Sequence, residues 1–128
     1  MTVTFEGRNL SGEYVLLEAM NIRSIGPNLA LAPAADPGDG LLDLVMLSKA
    51  ERDHMSAYLS DRIEGEDASP VLFVHRTRQL RIECPQGLPL HIDDELWPED
   101  GPPPSPMIVH VPISPESLEI LAPAPRTR

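Results

Sequence analysis

The sequence has few of the residues that mark three common classes of protein. It contains one cysteine, Cys84, so no disulfide can form within the chain, and no cysteine–histidine cluster has the spacing of a zinc site. It contains one lysine, Lys49, and nine scattered arginines, which gives no basic stripe to neutralise nucleic-acid phosphates. No segment approaches the roughly 20 apolar residues of a transmembrane helix, and the N-terminus does not resemble a signal peptide. These absences predict a soluble, cytoplasmic protein that does not bind nucleic acid.

The charge balance is acidic, with a formal net charge of -10 over 128 residues. Simple electrostatic attraction to anionic lipid is therefore disfavoured, and a peripheral encounter with a membrane would need apolar groups or a basic region elsewhere. The length fits one domain that buries roughly two thirds of its unfolded surface. Of the 15 prolines, nine fall from Pro98 onward, which indicates a loop and an unstructured end.

Short apolar runs bounded by Gly, Pro, Asp and Ser indicate β-strands. Residues 7–12, GRNLSG, are predicted to connect the first two strands as a hairpin loop. The first strand begins at residue 2 with no element before it, so we expect an exposed strand edge through which the chain can form a homodimer. The predicted strands cover residues 2–6, 13–20, 42–47, 71–75, 79–84, 88–92, 107–113 and 117–121. Eight strands with one helix predict an all-β, antiparallel sandwich.

The one predicted helix covers about residues 49–63. Ser48 and Glu51 have the spacing of a capping box, in which the two residues satisfy free amides at a helix start. Gly65 is a suitable stop. Three apolar residues at intervals of four predict a stripe that packs on the sheet. They are Met55, Leu59 and Ile63.

Residues 35–43, ADPGDGLLD, bring three aspartates close together in the sequence. Asp36, Asp39 and Asp43, with loop carbonyl groups, could converge on Mg²⁺ or Ca²⁺, which both prefer oxygen ligands. The same residues are also typical of a tight turn before a strand. The segment does not have the pattern of an EF-hand. Both interpretations stay open at this point.

Residues 91–95, HIDDE, form a second acidic segment at the end of a predicted strand. The alternation of a strand would place Asp93 and Glu95 on one side and Asp94 on the other. Two carboxylates on one side suit proton abstraction by a general base. The alternative is an acidic, solvated corner between a strand and a loop.

Taken in this order, residues 21–47 and 91–95 resemble the C-terminal domain of the diacylglycerol kinase and sphingosine kinase-like family of lipid kinases, including its bacterial members. The first stretch is similar to a family pattern of Asn, Gly-Gly-Gly, Ala-Pro and Asp-Gly-x-Leu-Asp, and the second to His-x-Asp-Gly-Glu. The resemblance covers about residues 2–122. It departs where residues 26–28 are Gly-Pro-Asn and where Asp94 replaces the second motif's glycine.

The resemblance implies an ATP-dependent phosphotransferase that acts on the hydroxyl of a diacylglycerol or sphingoid-type lipid. In such kinases, residues matching Glu95 and Asp93 are the general base and its partner. The residue matching Asp39 holds a structural divalent cation, Mg²⁺ or Ca²⁺, with main-chain carbonyl groups that here would be those of Asp36 and Leu41. We carry these roles over as expectations.

The resemblance also implies that this sequence lacks one of the two domains of such a kinase. The family holds ATP on an N-terminal nucleotide-binding domain with a Gly-Gly-Asp-Gly loop, which this sequence does not contain. Residues 1–122 would then be the C-terminal β-sandwich domain, incomplete at its N-terminus, and residues 123–128 a flexible tail. We expect the isolated chain to be inactive. Two alternatives are a non-catalytic module that binds a lipid or a protein, and a purely structural sandwich with solvated acidic turns.

Overall fold

The computed structural model describes residues 1–26, 29–64 and 72–116. In these ranges the chain forms eleven strands, a short 3₁₀ turn and one helix, α1. The predicted strand at 117–121, the stop at Gly65 and the Pro27–Asn28 variation lie outside the described residues. The strands are β1 Thr2–Phe5, β2 Arg8–Ser11, β3 Tyr14–Met20, β4 Ser24–Ile25, β5 Leu29–Ala30, β6 Leu42–Ser48, β7 Val74–Thr77, β8 Gln79–Cys84, β9 Leu90–Ile92, β10 Glu95–Trp97 and β11 Met107–Pro112.

A four-stranded antiparallel sheet has the order β11-β8-β1-β2. The hairpin between β1 and β2 turns at Glu6 and Gly7, which both have positive φ, and Phe5 pairs with Arg8. The prediction of a loop over residues 7–12 is therefore wrong, because this two-residue turn lets the chain pair again at once. The predicted free edge of β1 is also wrong, since β1 has a neighbour on each side. Dimerisation stays a prediction.

A second antiparallel sheet has the order β3-β6-β7 and packs against the first. Its central strand, β6, is buried from Leu42 to Leu47, because both of its faces are covered. The main core lies between the two sheets, as the sandwich prediction requires. Its buried members are Val3, Phe5, Leu42, Leu44, Met46, Leu80, Ile82, Cys84 and Met107. The other face of the second sheet carries a smaller cluster around Val45, Met20 and Leu31.

The helix begins where the capping pattern predicts. The backbone amide and hydroxyl of Ser48 donate to Glu51 Oε2, at 3.0 and 2.6 Å. A 3₁₀ turn over Lys49–Glu51 then leads into α1, Arg52–Ile63. These hydrogen bonds lower the pKa of Glu51. No helix in the described part of the chain has the length and apolarity needed to span a bilayer.

The predicted apolar stripe on α1 is wrong beyond Met55. Met55 packs on the smaller cluster, but Leu59 is 41% exposed and Ile63 is 86% exposed. A repeat of four residues rotates by about 40° per step around a helix with 3.6 residues per turn, so it leaves the buried face within two steps. Tyr58 takes the buried position instead, and its hydroxyl donates to the carbonyl of Ala30.

Candidate functional site

The segment HIDDE folds as a tight hairpin. Asp93 and Asp94 form the turn between β9 and β10, and Glu95 pairs directly with Ile92. The predicted alternation through Asp93 and Glu95 is therefore wrong, because the chain reverses between them. Glu95 is the first residue of the returning strand, and both carboxylates are exposed next to the same turn.

The departure from the family glycine at position 94 is accommodated in this turn. Asp93 has φ +53°, which is left-handed backbone, whereas Asp94 has a negative φ. Aspartate tolerates left-handed backbone better than most residues do. The turn therefore needs no glycine at position 94.

One face of the β9–β10 hairpin combines apolar groups with the predicted base. Cross-strand partners lie on the same face of a sheet, which places Glu95 with Ile92 and Trp97 with Leu90. Leu90 packs against the main core, whereas Ile92 is 60% exposed and Trp97 is 41% exposed. This open apolar face thus extends from the core towards the turn and carries the Glu95 carboxylate near its end.

The carboxylates of the hairpin are not used by the fold. The side chains of Asp93 and Glu95 make no hydrogen bond or ion pair to another residue within 1–26, 29–64 and 72–116. A charged side chain without a structural partner at an exposed turn remains available to accept a proton or a hydrogen bond from a substrate.

The hairpin is held at its base by backbone packing. A Cβ at Gly87 would lie 2.1 Å from the carbonyl oxygen of Pro104, so only glycine fits there without a shift of the proline-rich loop. The hydroxyl of Ser105 donates to the carbonyl of Pro85 at 2.8 Å. The segment before β9 and the loop before β11 therefore fix each other, and this fixes where the hairpin leaves the core.

The other acidic segment, residues 36–43, is a turn that leads into the start of β6. Asp36 Oδ1 accepts the amide of Gly38 at 2.8 Å, and Asp39 Oδ1 accepts the amide of Leu41 at 2.9 Å. The carbonyl of Asp36 also accepts the Asp39 amide at 3.3 Å. The side chains hold the local backbone in the manner typical of Asx turns. The segment is thus a tight turn before a strand, and a cation held by it stays a prediction.

Arg76, on β7, joins two of the loop aspartates. Its guanidinium makes an ion pair with Asp39 Oδ2 through Nη2, and its Nε lies 3.4 Å from Asp43 Oδ1. The Asp43 side chain is only 2% exposed, and its buried Oδ2 accepts no hydrogen bond from the described residues. Burial raises the pKa of Asp43, and the Arg76 charge partly opposes this rise.

These contacts do not fit a divalent cation at Asp39 as the side chains stand. Both carboxylate oxygens of Asp39 already accept donors, one of them from a guanidinium. The Asp36 carbonyl, a second predicted ligand, accepts the Asp39 amide. No cluster of three or more His, Cys, Asp or Glu suited to a metal occurs among the described residues. The binding of a divalent cation by Asp39 stays a prediction, and so does the role of the Leu41 carbonyl as one of its ligands.

The two acidic segments are separate features, since no hydrogen bond or ion pair joins them in the described part of the chain. The sequence interpretation missed Arg76, because the predicted strand ended at residue 75, two positions before the observed end at Thr77. The signal was present: extending that strand by two residues places Arg76 opposite Asp43 in the observed register. It also missed Glu18 on β3, whose pKa is raised by burial and partly lowered by the charge of His91 on β9.

Comparison with known proteins identifies the fold family. The family model described as the YegS C-terminal NAD kinase beta sandwich-like domain matches residues 1–122. A curated protein named "Probable lipid kinase YegS-like", from Shewanella frigidimarina (strain NCIMB 400), is 27% identical over 97 residues. The match covers 76% of this chain and 31% of that protein, so the chain spans about a third of the relative's length. No solved structure matches the chain. The chain belongs to the family of the YegS C-terminal NAD kinase beta sandwich-like domain.

Proposed function

We propose that this chain is the C-terminal part of an ATP-dependent kinase that phosphorylates a lipid hydroxyl, of the diacylglycerol or sphingoid type. The family match over residues 1–122 and a relative named as a probable lipid kinase support this proposal. The observation that carries it is the exposed Glu95 carboxylate on the open apolar face of the β9–β10 hairpin. ATP would be held by an N-terminal nucleotide-binding domain of the complete kinase.

Glu95 is the proposed general base. As the lipid hydroxyl oxygen forms its bond to the γ-phosphorus of ATP, the bond from that phosphorus to the β–γ bridging oxygen breaks and ADP leaves. The proton of the hydroxyl passes to the Glu95 carboxylate, which has no competing partner among the described residues. Asp93, two residues away in the turn, adds negative charge that assists the transfer.

The surroundings of Glu95 support an amphipathic substrate. Ile92 lies opposite Glu95, and Trp97 follows two residues later on the same face. A lipid would lay its apolar part on these side chains and present its hydroxyl to the carboxylate at the turn. A small polar alcohol would gain nothing from this apolar surface, because its favourable contacts would be confined to the carboxylate.

The test is a phosphotransfer assay on the two-domain protein, in which the chain is joined to a nucleotide-binding domain of the same family. Radiolabelled ATP and a panel of diacylglycerols and sphingoid bases would identify the acceptor. Glu95→Gln should lower turnover at least about a hundredfold, because a positioned base contributes roughly 10² to 10⁴. Glu99→Gln removes the same charge from an exposed position four residues later and should keep turnover.

The melting temperature of each variant separates a lost base from lost folding. Full turnover in Glu95→Gln would remove the proposed base. Lipid binding by the two-domain protein, without phosphorylation of any lipid in the panel, would favour the non-catalytic module.

A further inference from the structure

The acidic loop, residues 36–43, contains three carboxylates and receives one cation from a neighbouring strand. Asp39 and Asp43 contact the guanidinium of Arg76, which comes from β7, 37 residues further along than Asp39. This contact concerns the loop alone and does not depend on the proposed function.

The sheet register fixes Arg76 in this position. Arg76 pairs with Asp43 across β6 and β7, so the two side chains share one face. Nε lies 3.4 Å from Asp43 Oδ1, while Nη2 donates to Asp39 Oδ2. A planar guanidinium can serve two carboxylates at once, because its donors form a rigid fork.

The buried carboxylate explains why a cation is needed there. Asp43 is 2% exposed, and its Oδ2 has no donor among the described residues. A buried carboxylate is costly unless an opposite charge lies close to it. Arg76 supplies that charge without leaving solvent completely, since 45% of its side chain is exposed.

We propose that the guanidinium of Arg76 takes the place of a divalent ion in this loop. It holds Asp39 and Asp43 in the positions where such an ion would otherwise bind. A divalent ion beside Asp39 would lie next to the guanidinium, and like charges repel at that separation. The ion therefore gains a site only when Arg76 is removed. Without Arg76, Asp39 Oδ2 and the buried carboxylate of Asp43 would have no cationic neighbour and would present oxygen ligands to a hard cation.

The test measures Mn²⁺ binding to the purified chain by the loss of the electron paramagnetic resonance signal of free Mn²⁺. Arg76→Met should bind Mn²⁺ at least about tenfold more tightly than the unmodified chain, because removal of one positive charge near two carboxylates is worth more than 1.4 kcal/mol at this range. The double variant Arg76→Met/Asp39→Asn should lose this gain. Arg81→Met makes the same change beside Glu83, whose side chain is 44% exposed, and should bind like the unmodified chain.

A thermal melt with Mg²⁺ or with a chelator gives a second readout. Mg²⁺ should raise the melting temperature of Arg76→Met by several degrees more than that of the unmodified chain, since a ligand stabilises only the state that binds it. Equal Mn²⁺ affinity in the two proteins, whether tight or absent, would overturn the proposal. If Arg76→Met does not fold, Asp39→Asn in the otherwise unmodified chain decides. Loss of an existing Mn²⁺ site in that variant would overturn the proposal, and unchanged weak binding would support it.

Discussion

The two acidic segments have similar composition but opposite surroundings. In the loop, Asp39 accepts two hydrogen bonds and Asp43 is buried against Arg76. In the hairpin, the side chains of Asp93 and Glu95 are exposed and make no hydrogen bond or ion pair in the described part of the chain. In the loop, the carboxylates therefore stabilise the fold through their contacts. In the hairpin, the backbone alone positions the carboxylates.

This difference separates structural acids from available acids. A carboxylate that already accepts amide and guanidinium donors cannot take up a substrate proton without losing those contacts. An exposed carboxylate on a tight turn has no such contact to lose. We infer that substitutions in the loop change stability first, and that substitutions of the hairpin carboxylates change activity first.

The largest effect on stability is expected for Arg76→Met. It leaves the buried charge of Asp43 without its neighbour and should lower the free energy of unfolding by about 2 kcal/mol, below the usual range for a buried pair because Arg76 is partly exposed. Urea denaturation without added divalent ions measures this. Arg81→Met breaks a pair in which the carboxylate, Glu83, is not buried, and should cost less than about 1 kcal/mol. Similar losses in both variants would show that the loop pair is as weak as a surface pair.

A smaller effect is expected for Gly87→Ala at the base of the hairpin. The new Cβ would meet backbone at Pro104, which cannot rotate away, so we expect a loss of about 1.5 kcal/mol and reduced turnover in the two-domain protein. Gly38→Ala is the matched change in the acidic loop. Its Cβ would lie 3.3 Å from Asp36 Oδ1, a side-chain atom that can move, so its cost should be under about 0.5 kcal/mol.

If the two alanine variants lose equal stability, the hairpin is not held by the contact between Gly87 and Pro104. Unchanged turnover in a folded Gly87→Ala protein would show that the position of the hairpin does not govern activity.

Local patterns predicted much of the fold. The capping pair Ser48 and Glu51 fixed the start of the helix, because its contacts span only three residues. The alternating strands and the sandwich were also predicted, since burial on one face leaves a period of two. The buried face of the helix was predicted wrongly, because residues spaced by four move gradually around the helix axis. Tyr58 was overlooked as the buried residue.

The candidate site was less predictable, because it depends on turns and on pairing across long sequence separations. Nothing local shows that Asp93 adopts φ +53° and reverses the chain before Glu95. The ion pair of Arg76 with Asp39 joins residues 37 positions apart and follows only from the register of β6 with β7. The roles of Glu95 and Asp93 come from the family resemblance and stay predictions.

The dependence of stability on pH offers a weaker test of the same comparison. Burial raises the pKa of Asp43 above the ordinary value of an aspartate, so the folded chain binds this proton more readily than the unfolded chain. The stability from this proton is fully present below the unfolded pKa and is lost as the pH rises through the folded pKa. Asp43→Asn has no carboxyl to take up this proton, so the unmodified protein should gain stability relative to Asp43→Asn as the pH falls from 7 to about 4.

Glu51 provides a control with the opposite sign. Hydrogen bonds from Ser48 lower the pKa of Glu51 below the ordinary value of a glutamate. The contribution of Glu51 to stability is therefore present above the unfolded pKa and is lost as the pH falls through the folded pKa. Unmodified protein should therefore lose stability relative to Glu51→Gln over the same acidification. The stability difference from the unmodified protein should thus change in opposite directions with pH for Asp43→Asn and Glu51→Gln. A change in the same direction for both variants would contradict the assignment of Asp43 as the desolvated acid.

The smallest effects are expected in the hairpin turn, and they test whether backbone geometry alone holds it. Asp93→Gly removes the cost of left-handed backbone on a residue with a side chain and should raise the free energy of unfolding by about 0.5 kcal/mol. Asp94→Gly adds freedom to the unfolded chain at a residue with negative φ, so it should lower stability by about 0.5 kcal/mol. Urea denaturation resolves the two signs when both variants are measured together. The reverse signs would place the left-handed residue at position 94, where the family motif has glycine, and Asp93 would then belong to the strand as the alternation first predicted.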